Sequence, residues 1–275
     1  IEHGRRLYDP ERHRSHRFIY GGHDPGACAG YTAAQTNWLL GYPDKAVESA
    51  AEAVALADRL AHPFTREVGL EYAAHVHLHR REPEISLAYM LALDELRAEQ
   101  RISFIIEPAF MRAAVQLAQG AFDDAAAMLR ETFAPGQVGT TAWQPYGRAI
   151  FAEALMQQGA YAEAAASLRV AFDRIGATGE RVWEAELHRV NGMVLLAENK
   201  IEAAQASLHQ AIRIAQAQQA KSLELRAATS LARLWGEAGR RAEARELLAP
   251  VYGWFTEGFD TADLKEAKAL LAELA

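Results

Sequence analysis

The chain has 275 residues, 50% hydrophobic and 24% charged, with a formal net charge of −7. This is the composition of a folded, helix-rich protein, and its acidic balance disfavours generic nucleic-acid binding. A single cysteine, Cys28, excludes an internal disulfide framework and suits a reducing cytoplasm. No signal peptide is expected, and no apolar run approaches the roughly 20 residues that span a bilayer.

Residues 1–20 carry Arg5, Arg6, Arg12, Arg14 and Arg17 together with His3, His13 and His16. They read as a solvated lead-in left from a truncated repeat, with a site for an anionic partner as the competing reading. The chain begins at Ile1 and in mid-repeat, so it is expected to be a piece of a larger protein.

Over residues 21–258 a small residue returns on one ruler, at Ala46, Ser86, Ala125, Ala164, Ala204 and Ala244, in steps of 40, 39, 39, 40 and 40. Four copies follow a glycine turn: GYPDKA (41–46), GAFDDA (120–125), GAYAEA (159–164) and GRRAEA (239–244). EPEIS (82–86) and NKIEAA (199–204) are weaker copies. So little drift predicts an all-α fold, an α-α superhelix of about six helix-turn-helix repeats. Each unit has a helix A, the turn, and a helix B. Glycine suits the end of helix A because it adopts positive φ without steric penalty. The small residue early in helix B admits the partner helix closely, opposite Phe151-Ala152, Asn191-Gly192 and Leu231-Ala232 of helix A. Leu129, Leu168, Leu208 and Leu248 follow four residues after their anchors, on one helical face.

Pro25, Pro63, Pro108 and Pro145 mark starts of A helices, and Ser222 and Thr261 are candidate N-caps. Residues 133–142, with Pro135, Gly136 and Gly139, end the third B helix early. Residues 259–275 place Leu264, Ala267, Leu270, Leu271 and Leu274 on one face and read as a C-terminal capping helix. Trp143, Trp183, Trp235 and Trp254 are assigned to packing between repeats.

No phosphate-loop, dinucleotide, zinc-protease or serine-hydrolase motif occurs. His75 and His79 share a helical face, but no carboxylate or cysteine completes a metal set with them, and His77 points elsewhere. Glu184 and His188 read as a solvated helix surface, and Cys28 as a packed residue. No catalysis, metal or cofactor is expected of this chain.

The alanine, glycine and aromatic positions resemble the tetratricopeptide repeat, whose usual period is nearer 34 residues. GGHDPG (21–26), NWLLGYPDKA (37–46), LHRREP (78–83), GERVWEAELHRVNG (179–192), AKSLELRAATSLARLW (220–235) and ELLAPVYGWFTEGFDTADLKEAKALL (246–271) give a closer resemblance. They are similar to the C-terminal repeat region of bacterial proteins that begin with a class III adenylate/guanylate cyclase domain followed by an AAA-type ATPase module. Related repeat regions also follow ATPase modules in some transcriptional regulators. The resemblance implies a cytoplasmic, non-catalytic interaction or regulatory region of a cyclic-nucleotide signalling protein, the cyclase and ATPase chemistry residing in domains that this chain lacks.

In tetratricopeptide arrays the A helices line the concave face. Counting back from each anchor gives a candidate groove of Tyr31, Gln35, Trp38, Glu71, His75, Glu107, Phe110, Tyr146, Glu153, Glu186, Arg189, Met193, Arg226 and Arg233. Aromatics there would anchor a peptide, and Arg189, Arg226 and Arg233 would clamp a carboxylate or phosphate without contributing to the fold. The expected partner is a protein or peptide segment, including the parent's own ATPase and cyclase domains. Neither nucleic acid nor membrane is expected. A small-molecule inducer sensor is the alternative function, and a homodimer through the face left open by the truncated repeat is a further expectation.

Overall fold

The computed structural model describes residues 2–19, 21–100, 109–134 and 143–275. Among these the protein is all-helical, with fourteen α-helices, one 3-10 turn and no strand. By compactness the chain divides into two units, residues 1–38 with 42–107 and residues 39–41 with 108–275.

The first unit holds α1 (Glu2–Leu7), a 3-10 turn (Arg14–Phe18), α2 (Pro25–Leu39), α3 (Pro43–Leu60), α4 (Pro63–His79) and α5 (Pro83–Gln100). α3 packs on α4, and α4 on α5. Gly30 of α2 lies so close to α3 that an added Cβ would stand 2.7 Å from the Ala53 Cβ. Asp24 caps α2, accepting from the Gly26 and Ala27 amides at 2.9 and 3.1 Å. His62 caps α4 through the Thr65 amide.

The second unit holds α6 (Ala109–Ala118), α7 (Phe122–Thr132), α8 (Gln144–Gln157), α9 (Tyr161–Thr178), α10 (Glu184–Ala197), α11 (Ile201–Ala217), α12 (Lys221–Glu237), α13 (Arg241–Tyr252) and α14 (Ala262–Glu273). Each even-numbered helix from α6 to α12 packs on the odd-numbered one that follows it. The even-numbered helices also pack on one another in an unbroken row, α6, α8, α10, α12, α14. Among the described residues the odd-numbered helices make no such row.

All six anchors, Ala46, Ser86, Ala125, Ala164, Ala204 and Ala244, are 0% exposed. Five residues before each anchor the backbone turns into the left-handed region: Gly41, Gly120, Gly159 and Gly239 in the strong copies, Arg81 and Asn199 in the weak ones. The weak copies therefore keep the turn and lack only its favoured residue. Gly192 answers the anchor from helix A, where a Cβ would meet Leu208 Cγ at 2.8 Å. The residues beyond a 34-residue period sit in the helices: α3, α5, α9 and α11 run 17 or 18 residues, and the turns stay short. α7 and α13 are shorter, at 11 and 12 residues, and α7 ends at Thr132 before the proline-glycine stretch; residues 135–142 lie outside the described residues.

Pro25, Pro63 and Pro145 open α2, α4 and α8; Pro108 lies outside the described residues. α14 buries Leu264, Ala267, Leu270 and Leu274 and packs on α12 and α13.

Two expectations need correction. Ser222 is no cap: α12 starts at Lys221 after a left-handed Gln219, which leaves Ser222 inside the helix and 6% exposed. Thr261 stands at the N-cap of α14, but its hydroxyl donates to the Gly258 carbonyl at 2.7 Å. Trp183 is 2% exposed, and Trp254 packs edge-on against Phe255 with the Lys221 ammonium 5.6 Å from its ring centroid.

Candidate functional site

In the first unit the candidate residues lie largely inside. Tyr31 is 2% exposed, donates its hydroxyl to the Thr65 carbonyl at 2.7 Å and stacks on Tyr72. Trp38 lies 4.7 Å from His79, which in turn stacks on His75. Glu71 and His75 are buried, and burial pushes the His75 pKa down to about 3, so its imidazole stays neutral. Gln35 is half-buried. Glu107 lies outside the described residues. Counting back from the anchors selects helix-A positions, but many of these face neighbouring helices and are buried.

The second unit carries eight of the candidates along its even-helix row. Phe110 of α6 meets Tyr146 of α8 edge-on, and Tyr146 stacks on Trp183 with ring centroids 4.2 Å apart. Beside these rings runs a chain of charges. Arg189 of α10 donates to Glu186 at 2.8 and 3.0 Å on its own helix, and to Glu153 on α8. Arg226 of α12 lies 3.7 Å from Glu186 and donates to Asp263 of α14 at 2.8 Å. Arg233 donates to Glu266 of α14 at 2.6 Å. Met193 is half-buried and Arg233 exposed.

The electrostatics of this row follow from burial set against opposite charge. Burial disfavours the charged forms of Arg189 and Arg226, but Glu186 with Glu153, and Asp263 with Glu186, more than offset it and raise both pKa values. Burial, helped by Glu186 and Glu153 against the two arginines, raises Tyr146, so its phenol keeps its proton. The three clamp arginines are thus matched by carboxylates of the chain itself.

Sequence reading missed Asp263 and Glu266 as partners and assigned Trp183 to packing alone. A signal existed. Glu153 and Arg189 are 36 residues apart, Arg226 and Asp263 37, Arg233 and Glu266 33, and on the odd-helix side Arg130 and Glu163 33. Opposite charges slightly under one period apart mark ties between successive repeats.

Glu184 pairs with Arg181 at 3.0 Å, and His188 packs on Phe172. Among the described residues no group of three or more His, Cys, Asp or Glu could hold a metal ion, and no helix is long and apolar enough to cross a membrane.

No family model matches the chain. It is 25% identical over 249 residues to an uncharacterized protein of Rhizobium meliloti (strain 1021), a similarity covering 87% of this chain and 24% of that protein. The chain thus spans about a quarter of the length of this relative.

Proposed function

We propose that the chain is a tetratricopeptide-like α-α superhelix serving as the non-catalytic interaction and regulatory region of a longer bacterial signalling protein of the cyclase–ATPase type. The even-helix row carries this reading. In the second unit one set of helices stacks on its neighbours while the other set does not, which supports a curved stack with the A helices on its inner side. An inner face of this kind suits an extended protein segment. The much greater length of the Rhizobium meliloti relative supports a place within a larger chain.

The charge balance of the row refines the partner. Its arginines are engaged by Glu153, Glu186, Asp263 and Glu266, so an acidic ligand would have to displace these carboxylates. A segment carrying lysine or arginine beside apolar side chains avoids that cost.

The test is ATP-to-cyclic-AMP turnover by the full-length protein that carries this segment, compared with a version lacking residues 21–275. A changed rate supports the regulatory role. Equal rates from two folded proteins overturn it.

A further inference from the structure

The segment ahead of α2 is closed on itself. The Asp9 carboxylate accepts from the Glu11 and Arg12 amides at 2.9 Å, and the Asp9 amide donates to His13 Nδ1 at 2.9 Å. The ring centroids of Tyr8 and His13 lie 5.9 Å apart, and those of His13 and His16 4.8 Å apart. Apolar burial does little to hold this segment on the first unit. From residue 3 to residue 19 no side chain is fully buried, and Leu7, Phe18 and Ile19 are 65%, 75% and 65% exposed. A segment with so few buried apolar contacts opens at low free-energy cost.

Tyr8 joins the segment to the helices. Its ring lies across Gly26 in the first turn of α2, where an added Cβ would stand 2.3–2.5 Å from three ring carbons. Its hydroxyl is sealed from solvent, as is Asp24 Oδ2, and burial followed by the Asp24 carboxylate raises the phenol's pKa. Asp24 is itself 0% exposed: its Oδ1 caps α2, and its amide donates to the Thr65 hydroxyl of α4 at 3.0 Å. Tyr8 thus sits where the start of α2 meets α4. Arg5 adds an ion pair to the exposed Glu52, and Phe18 meets His62 edge-on at 6.2 Å. A solvent-exposed pair of this kind contributes little to holding the segment in place.

We propose that residues 8–18 are a releasable strap on the first unit, fastened by Tyr8 in the slot that Gly26 leaves open, and that its release uncovers the start of α2 and the Asp24 carboxylate. Because the strap is organised by its own Asp9 and His13, it can leave the helices as a body. Asp24 keeps its contacts to the Gly26 and Ala27 amides when the strap leaves, so α2 stays capped and the helices beneath remain folded. The strap acts within the first unit and is independent of the inner face assigned to a protein segment.

The test is limited trypsin digestion of the full chain, with cleavage after Arg12 and Arg14 followed by mass spectrometry and the urea midpoint measured alongside. When reclosing outpaces cleavage, the cleavage rate reports how much of the strap is open. Y8A removes the ring and its hydroxyl, whereas G26A fills the slot from the helix side and leaves Tyr8 itself intact. Each should raise cleavage at both sites about tenfold or more while the urea midpoint holds. Y8F, which keeps the ring and loses the hydroxyl, should fall between wild type and Y8A. An unchanged rate in Y8A or G26A overturns the proposal. So does a faster rate accompanied by an equivalent fall in the midpoint, because the segment would then be part of the cooperative core.

Discussion

His75 shows how far a side chain's surroundings can move it from its ordinary behaviour. Its folded pKa is about 3, against about 6.5 for a free imidazole, because burial disfavours the charged ring. Between those values the unfolded chain binds more protons than the folded one, so stability falls as pH drops from about 6.5 toward 3. The slope inside that window approaches about 1.4 kcal/mol per pH unit. Urea unfolding of the wild type between pH 4 and 7 should show this decline, and His75→Leu should flatten it. An equal slope in both proteins would assign the acid sensitivity elsewhere. Ala61, the C-cap of α3, makes a second case at this scale. It is held at φ 47°, a conformation that penalises a Cβ. Ala61→Gly should raise stability by up to about 1 kcal/mol, read as a shift in the urea midpoint at constant m-value.

At the scale of helices, the anchor positions are crossings with no room. Ala164 and Ala244 are 0% exposed, and Ala164→Leu or Ala244→Leu should cost about 1–3 kcal/mol by overpacking. Unchanged melting of both variants would mean that the crossings lie elsewhere. The even-helix arginines give a larger effect than their surface-like sequence positions suggest. Glu186 is 4% exposed, and Glu186→Ala takes from both Arg189 and Arg226 a buried carboxylate that they share, a loss of up to about 3 kcal/mol. For the same reason replacing Arg189, Arg226 and Arg233 together is expected to destabilise the second unit, not merely weaken a ligand. The helix pairs were legible in the sequence because small residues, turn glycines and first-turn prolines are local signals that recur at a fixed spacing. Ser222 misled because a serine near a helix start is a cap only if the chain enters there, and the left-handed Gln219 moves that entry upstream. The burial of Tyr31, Trp38 and His75 was not legible, since it depends on which neighbour covers each side of a helix. The Arg226–Asp263 tie was hidden by its 37-residue separation, although the repeat length itself points to such pairs.

At the scale of the molecule, stability in a stacked array is built from contacts between neighbours, so its ends matter. α14 supplies Leu264, Ala267, Leu270 and Leu274 to the core shared with α12 and α13, and Asp263 and Glu266 to Arg226 and Arg233. A chain ending at residue 258 should melt lower. Amide exchange should accelerate first in α12 and α13 and least in α8 and α9. Uniform acceleration through the second unit would show instead that it unfolds as one block. The chain of charges has a further consequence for how such a protein can change length. At their anchors the helix pairs are alike, because every anchor is a small buried residue on the same ruler. In charge they are not. Thr229 stands one 40-residue step on from Arg189, so excising that step would preserve each helix crossing yet set Glu153 opposite a hydroxyl. Backbone geometry would permit gain or loss of a whole repeat, but the ion pairs give each repeat a fixed place in the order.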